Sequence, residues 1–302
     1  MRIWLFSLLI LSATLPAAAA ETLVMKRHPD STSKMERNQK TEQTLTIGEG
    51  NIETSSSSFA LMAYTTGPRA EDGSVTVTQK HEVLQTELNI VGMTLQFDSA
   101  NPDAKAASGN LEPFADMLRI TYRTPVTMVF DKDNQIREVT IPAEASANID
   151  PNFADLLKPE TIKKGLAQME NFLPKKPVNV GDKWEATTEA PLGGGQTLSF
   201  DMQYELLATE QVDGRPICKI KAQPSAVRYA MDPNSPSPLK ITESTLTIET
   251  SEGEILFDVE RGAIVKEESK LRIKGPLKFS INGNEIAGKL DLTMSSKTVL
   301  QK

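Results

Sequence analysis

The residue types best equipped for chemistry are scarce in this chain, which has two histidines and one cysteine among 302 residues. His28 lies near the N-terminus and His81 lies in an alternating strand pattern. Neither has a second histidine at ligand spacing, and no H-E-x-x-H is present, so a zinc site has no sequence support. The segment "DKDNQ" from Asp131 to Gln135 opens like a calcium loop. Ile136 occupies the sixth position, where the loop needs glycine, and Pro142 occupies the twelfth, where it needs glutamate, so a hairpin turn is expected instead. Gly193 to Gly195 follow Pro191 and precede a strand, the reverse of a glycine turn that opens a phosphate-binding helix. They read as a flexible linker. No G-x-S-x-G elbow occurs, and no carboxylate pair stands out. The sequence therefore assigns no catalytic, cofactor-binding or metal-ligating residue. Cys218 has no partner for an internal disulfide. In "RPICKIK" it reads as a small strand residue, with an intermolecular bridge as the alternative.

Residues 1–20, "MRIWLFSLLILSATLPAAAA", combine one arginine, an apolar run and small residues, with Ala18 and Ala20 at an A-x-A cleavage position. They are expected to be a removed secretory signal. A membrane anchor fits less well, because Ser7, Ser12 and Thr14 interrupt a run shorter than the roughly 20 residues a span needs. No later segment is apolar enough to cross a bilayer as a helix. The net charge of -7 opposes nucleic-acid binding, which needs a basic face. The expectation is an exported periplasmic or extracellular protein without a cofactor, with residues 21–302 forming one β-rich domain.

Strand signals dominate that domain. Leu277, Phe279 and Ile281 alternate into Asn282-Gly283-Asn284, and Leu290, Leu292 and Met294 alternate out of it, which predicts a hairpin. Similar patterns surround Asp213-Gly214, Glu252-Gly253 and Arg261-Gly262, and another strand follows Asp72-Gly73. The apolar parity changes between Leu88-Ile90 and Met93-Phe97, which predicts a bulge or bend at Gly92. "ETSSSS" reads as a polar connector, and Ala230 to Lys240 as a loop. A helix is expected after Asp150 and Pro151, and a second from Pro159 to Pro174, with Ile162, Leu166, Met169 and Leu173 as an apolar stripe. A shorter helix is expected from Pro113 to Leu118.

The fold class is thus mainly β (α+β): a long curved antiparallel sheet or half-barrel of meander hairpins with one or two central amphipathic helices. "VFDKDNQIREV" and "LFDVERGAIVKEE" share a strand, Phe-Asp, a turn and a charged strand. That leaves open two related halves, 21–149 and 174–302, joined by 150–173.

Between the helices and the second set of strands lies "NFLPKKPVNVGDKWEA". Two prolines and a Gly-Asp turn restrict the backbone there, and Val178, Val180 and Trp184 share parity. Trp184 is expected to fill a structural joint, its indole N–H reaching a backbone carbonyl. This segment carries a P-x-K-P-V-x-V-G-D-x-W signature that includes Pro177, Gly181, Asp182 and Trp184. By that signature, by Phe97 to Ser99 and by Gly253 to Asp258, the chain from Leu23 to Lys297 resembles a family of uncharacterised exported bacterial proteins classed as a domain of unknown function. The resemblance implies export and β-rich halves, and no catalytic residue.

Two functions lead for such a chain, with an enzyme as a third that no motif supports. One is binding a hydrophobic molecule, lipid or lipoprotein in an apolar groove between sheet and helices, similar in shape to periplasmic lipoprotein carriers, an analogy of architecture only. The other is a structural or protein-interaction role among envelope proteins.

Overall fold

The computed structural model describes residues 20–107, 109–147, 150, 153, 157–193, 196–231, 239–281 and 283–301. The expected signal segment 1–19, most of the helix expected at Asp150, and 232–238 of the expected loop lie outside the described residues. No described helix is long and apolar enough to cross a membrane.

The described strands form one open antiparallel sheet of 13 strands, in keeping with a half-barrel. The first half of the chain supplies β1 (Ser31–Ile47), β2 (Gly50–Arg69), β3 (Val75–Ile90), β4 (Met93–Asp98), β5 (Val126–Phe130) and β6 (Ile136–Thr140). The second supplies β7 (Lys183–Gly193), β8 (Gln196–Val212), β9 (Arg215–Met231), β10 (Leu239–Ser244), β11 (Thr247–Asp258), β12 (Ala263–Ile281) and β13 (Asn284–Gln301). The order is β6-β5-β3-β2-β1-β13-β12-β11-β9-β8-β7, with β4 beside β3 and β10 beside β12. Strands β1 and β13 therefore join the two halves along their lengths, from Lys34 opposite Gln301 to Ile47 opposite Gly288. Read in one direction, β6-β5-β3-β2-β1 and β12-β11-β9-β8-β7 have the same neighbour order.

Side-chain parity divides the sheet into two faces. One face carries the apolar clusters; the helices and the N-terminal segment cover three of them, and in the fourth Leu198 and Phe200 of β8 and Val227 of β9 pack on Ile273, Phe279 and Leu292 of β12 and β13. On it, α1 (Glu112–Arg123) buries Ala115, Met117 and Leu118 against Leu84, Leu95 and Phe97. Leu23, Phe172 and Val178 pack on Tyr204, Leu206, Ile220 and Phe257. The opposite, open face is polar. Pro113 near its start suits α1, which runs longer than the expected Pro113–Leu118. A short helix α2 (Ala143–Ala147) follows β6.

Several sequence expectations are corrected. The parity change at Gly92 is a two-residue hairpin between β3 and β4, with Val91 and Gly92 at φ of 47° and 78°, and not a bulge. Glu252-Gly253 is not a turn but lies inside β11. A Cβ on Gly253 would collide with the Ala222 carbonyl oxygen, so the glycine admits the close approach of β9. "ETSSSS" is not a connector but part of β2, paired on both sides. Helix α3 (Pro159–Met169) ends at a cap on Glu170, short of Pro174, and leaves Leu173 beyond it.

Candidate functional site

The expected apolar stripe is divided between two places. Ile162 and Leu166 of α3 pack against the cluster of Val75, Val77, Met128, Phe130 and Val139. Met169 is 48% exposed, and Leu173 packs on the cluster around Phe172 and Tyr204. The stripe is therefore not one lid surface, because the helix ends before the chain crosses to the second half.

That crossing gives α3 its position. Strands β6 and β7 stand at opposite ends of the strand order, and the α3 segment is bonded to both. Lys163 Nζ donates to the Arg137 carbonyl of β6 at 3.1 Å. Gln168 accepts from the Glu189 backbone N–H at 3.1 Å, Lys164 pairs with Glu189 at 2.9 Å, and Asn171 Nδ2 donates to the Thr187 carbonyl at 3.3 Å, all on β7. The helix thus straps the two free edges together, and it buries no residue of its own fully. Beside it, Arg27 pairs with Glu170 at 2.6 Å and lies 4.5 Å above the Phe130 ring.

The signature residues make the joint at one end of this strap. Gly181 has φ of 93°, and its N–H donates to the Leu206 carbonyl at 2.7 Å. The Asp182 carboxylate accepts the Asn179 N–H at 2.8 Å, which holds the turn that Pro177 precedes. Trp184 Nε1 donates to the Phe172 carbonyl at 2.6 Å, and its ring stacks on Tyr204 with centroids 5.8 Å apart. Val178 is buried, but Val180 is 53% exposed, so the shared parity does not extend through the turn. These residues set where the strap meets the sheet.

Polar side chains interrupt the covered face near the seam between halves. Arg37 of β1 is level with Thr298 of β13, which is level with Glu267 of β12. Arg37 and Glu267 are thus two strand spacings apart, about 10 Å, with Thr298 between. On the other side of Arg37 stands Ala60 of β2, and two and four residues further along the same face come Met62 and Tyr64, which pair with His81 and Gln79 of β3. Burial pushes the Glu267 carboxyl up, while the Arg37 charge opposes it. Burial also pushes the Tyr64 phenol up, against Arg37 and Arg27. His81 is pushed down by burial, with a hydrogen bond to the Thr121 backbone opposing. Arg37 Nε and His81 Nδ1 are buried without hydrogen-bond partners.

Sequence reasoning assigned none of Arg37, Tyr64, Gln79 and Glu267 to a site. They come from four strands spread over more than two hundred positions, and only the register places them together. Elsewhere, His28 Nε2 donates to the Arg261 carbonyl at 2.9 Å. Asp131 closes the β5–β6 turn by accepting the Asp133 and Gln135 N–H groups, each at 2.9 Å. Cys218 is fully buried, and burial pushes its thiol up, so the folded chain does not present it for a bridge. Among the described residues there is no group of three or more His, Cys, Asp and Glu side chains placed to hold a metal.

The open face carries a transverse groove of about 1400 Å³, from Asp98 and Gln96 on β4 to Leu207 on β8. Its charges largely satisfy one another: Lys219 pairs with Glu254 at 2.6 Å and Lys297 with Glu268 at 3.1 Å. Phe59 is a rare aromatic among its serines and amides.

A family of unknown function (DUF6263) matches residues 72–215. The match takes in β3 to β8, α1, α3 and the Trp184 joint. No curated protein matches the chain. Among solved structures, one of lipovitellin titled for its lipid–protein interactions is similar over 92% of this chain and 26% of its own, at 10% identity and a TM-score of 0.46. The chain thus spans about a quarter of the lipovitellin chain. An outer membrane channel from Pseudomonas putida F1 is similar over 95% of this chain and 100% of its own, at 9% identity and a TM-score of 0.23. A DUF1329 family protein from Desulfovibrio piger is similar over 85% and 83%, at 8% identity and a TM-score of 0.13.

Proposed function

We propose that this is an exported, non-catalytic binding protein that holds a hydrophobic molecule or lipid on the covered face of its sheet, beneath α3. The observation that carries the reading is the strap. A sheet of this length leaves two free edges, and here a helix with no fully buried residue joins them through side-chain contacts. Pairing β6 directly with β7 would seal the seam; a helix held by lysine, glutamine and asparagine side chains can lift and return. Beneath it lie two apolar clusters, one under Ile162 and Leu166 and one under Leu173. Their burial from water is the free-energy source that an apolar ligand would extend.

Export is part of the proposal and rests on the composition of residues 1–20. The related halves are proposed on the repeated neighbour order of the strands, and the likeness to periplasmic carriers is carried only as an analogy of shape.

Native mass spectrometry of the protein purified from its natural compartment, before and after chloroform–methanol extraction, tests the reading. A bound mass that extraction removes is expected. Protein that carries no such mass, and that after extraction takes up no neutral long-chain probe, would end it.

A second reading, docking of an envelope protein, is favoured by the groove on the open face, whose serines and paired charges suit a polar protein surface. A pull-down from envelope extracts that captures one partner, lost on substituting groove residues, would support that reading over the first.

A further inference from the structure

Two hydrogen-bond donors on the covered face meet at one weak acceptor, and a third, on the strand diagonal to it, has none. Tyr64 Oη donates to Met62 Sδ at 3.6 Å, and Gln79 Nε2 donates to the same sulfur at 3.5 Å. A thioether is a weak acceptor. Arg37 Nε, one strand away on β1, is buried with no acceptor. Buried donors in native proteins nearly always have partners, so two that share one sulfur beside a third with no acceptor mark a place where an acceptor arrives from outside.

The nearest carboxylate does not supply it. Glu267 lies two strands from Arg37, and no ion pair joins the two. Burial pushes its carboxyl up, against the Arg37 charge, so it holds its proton more readily than an exposed glutamate does. Apolar side chains border the donors on both sides. Val77 and Met128, under Ile162 and Leu166 of α3, lie toward one end of β3, and Leu84 with Met117 of α1 lies toward the other end.

We propose that Arg37, Tyr64 and Gln79 receive the oxyanion head group of an acidic amphiphile whose chain lies on the apolar cluster beneath α3. Arg37 supplies the charge, and the Tyr64 and Gln79 hydrogens exchange a sulfur for an oxygen. Charge-assisted bonds of this kind are stronger than neutral ones, so the head group discriminates while the chain supplies most of the affinity. The inference rests on the proposed ligand site and adds its chemical class.

Calorimetric titration of extracted protein with decanoate, decanol and acetate tests it, with wild type, Arg37→Met and Tyr64→Phe compared and folding checked by circular dichroism. Wild type is expected to bind decanoate more tightly than decanol. Arg37→Met should weaken decanoate roughly ten- to hundredfold and leave decanol unchanged. Tyr64→Phe, which removes only the hydroxyl and serves if Arg37→Met does not fold, should weaken decanoate by a smaller factor. Equal binding of decanoate and decanol by wild type, or decanoate binding that neither variant weakens, would overturn the head-group assignment while the carrier reading stands. Acetate binding as tight as decanoate would replace the amphiphile by a free oxyanion. Failure of both long-chain probes to bind wild type would bring down the carrier reading itself.

Discussion

Asp131 and Asp258 stand at matching points of the two halves, each following a buried phenylalanine at the end of a strand, and each holding a turn through backbone N–H groups. Asp131 accepts from Asp133 and Gln135 at 2.9 Å each, and Asp258 accepts from Arg261 at 2.9 Å. Phe130 ends β5 beside β3 and β6, and Phe257 lies near the end of β11 beside β9 and β12, which are matching neighbours in the repeated strand order. The two aspartates differ in burial. Asp258 is fully buried and paired with Arg215 at 2.6 Å, while Asp131 is part-exposed. Asp258→Ala should therefore cost about 3 to 5 kcal/mol, as for breaking a buried pair, and Asp131→Ala about 1 kcal/mol, as for losing a capping group. Urea unfolding of the two variants checks this; equal losses would mean that burial of Asp258 does not set its role.

The strap makes a kinetic prediction. With Gln168→Cys and Glu189→Cys joined by a short bismaleimide in a Cys218→Ala background, α3 cannot leave β7. Loading and release of a fluorescent long-chain probe should slow at least tenfold, while the uncrosslinked double variant, which loses the Gln168 and Lys164 contacts to Glu189, should exchange at least as fast as the background protein. Exchange at the same rate in the crosslinked protein would show that ligand reaches the sheet by another route.

Trp184 contributes through its ring and through one hydrogen bond, and the two can be separated. Trp184→Ala removes the stack on Tyr204 and should cost on the order of 3 to 5 kcal/mol, while Trp184→Phe loses the bond to Phe172 and should cost about 1 kcal/mol. Chemical denaturation measures both. A Trp184→Ala protein of unchanged stability with lost probe binding would make the residue part of the ligand site and not of the joint.

Glu267 gives a pH dependence whose sign is fixed. Its folded-state pKa is raised by burial above its unfolded value, so the folded protein holds this proton more tightly. The stability it contributes is complete below the unfolded carboxylate range and is lost as pH rises through the raised value. Glu267→Gln, which stays neutral, should be more stable than wild type at neutral pH and should lack that loss. Melting temperatures of both proteins across the range from pH 4 to 7 decide it; parallel curves would contradict the burial of a titrating Glu267.

Much of the fold was legible because period-two alternation and glycine turns coincide. The hairpin of β12 and β13 and the turn at Asp213-Gly214 both follow that grammar, with Gly283 and Gly214 at φ of 84° and 76°. The centre of the sheet was not legible. In β1 and β2 the open-face positions Asn38, Lys40 and Ser57 line the groove, and the covered-face positions include Arg37, so neither parity is apolar enough to read as a strand. Gly253 misled for the same kind of reason: a glycine that permits close packing of β9 looks in sequence like a turn. The joint at Trp184 was legible because its prolines and Gly-Asp turn are local. The donor cluster of Arg37, Tyr64 and Gln79 was not, since register across three strands is a property of pairing and not of spacing.

A crystal structure of the protein with ω-bromodecanoate, read by the anomalous signal of bromine, tests the ligand site most directly. Bromine is expected beneath α3, near Val77, Met128 and Ile162, with the carboxylate within hydrogen-bond reach of Arg37 and Tyr64. Bromine in the open-face groove near Lys40 and Ser57, or no ordered bromine at a concentration that saturates binding in solution, would contradict it.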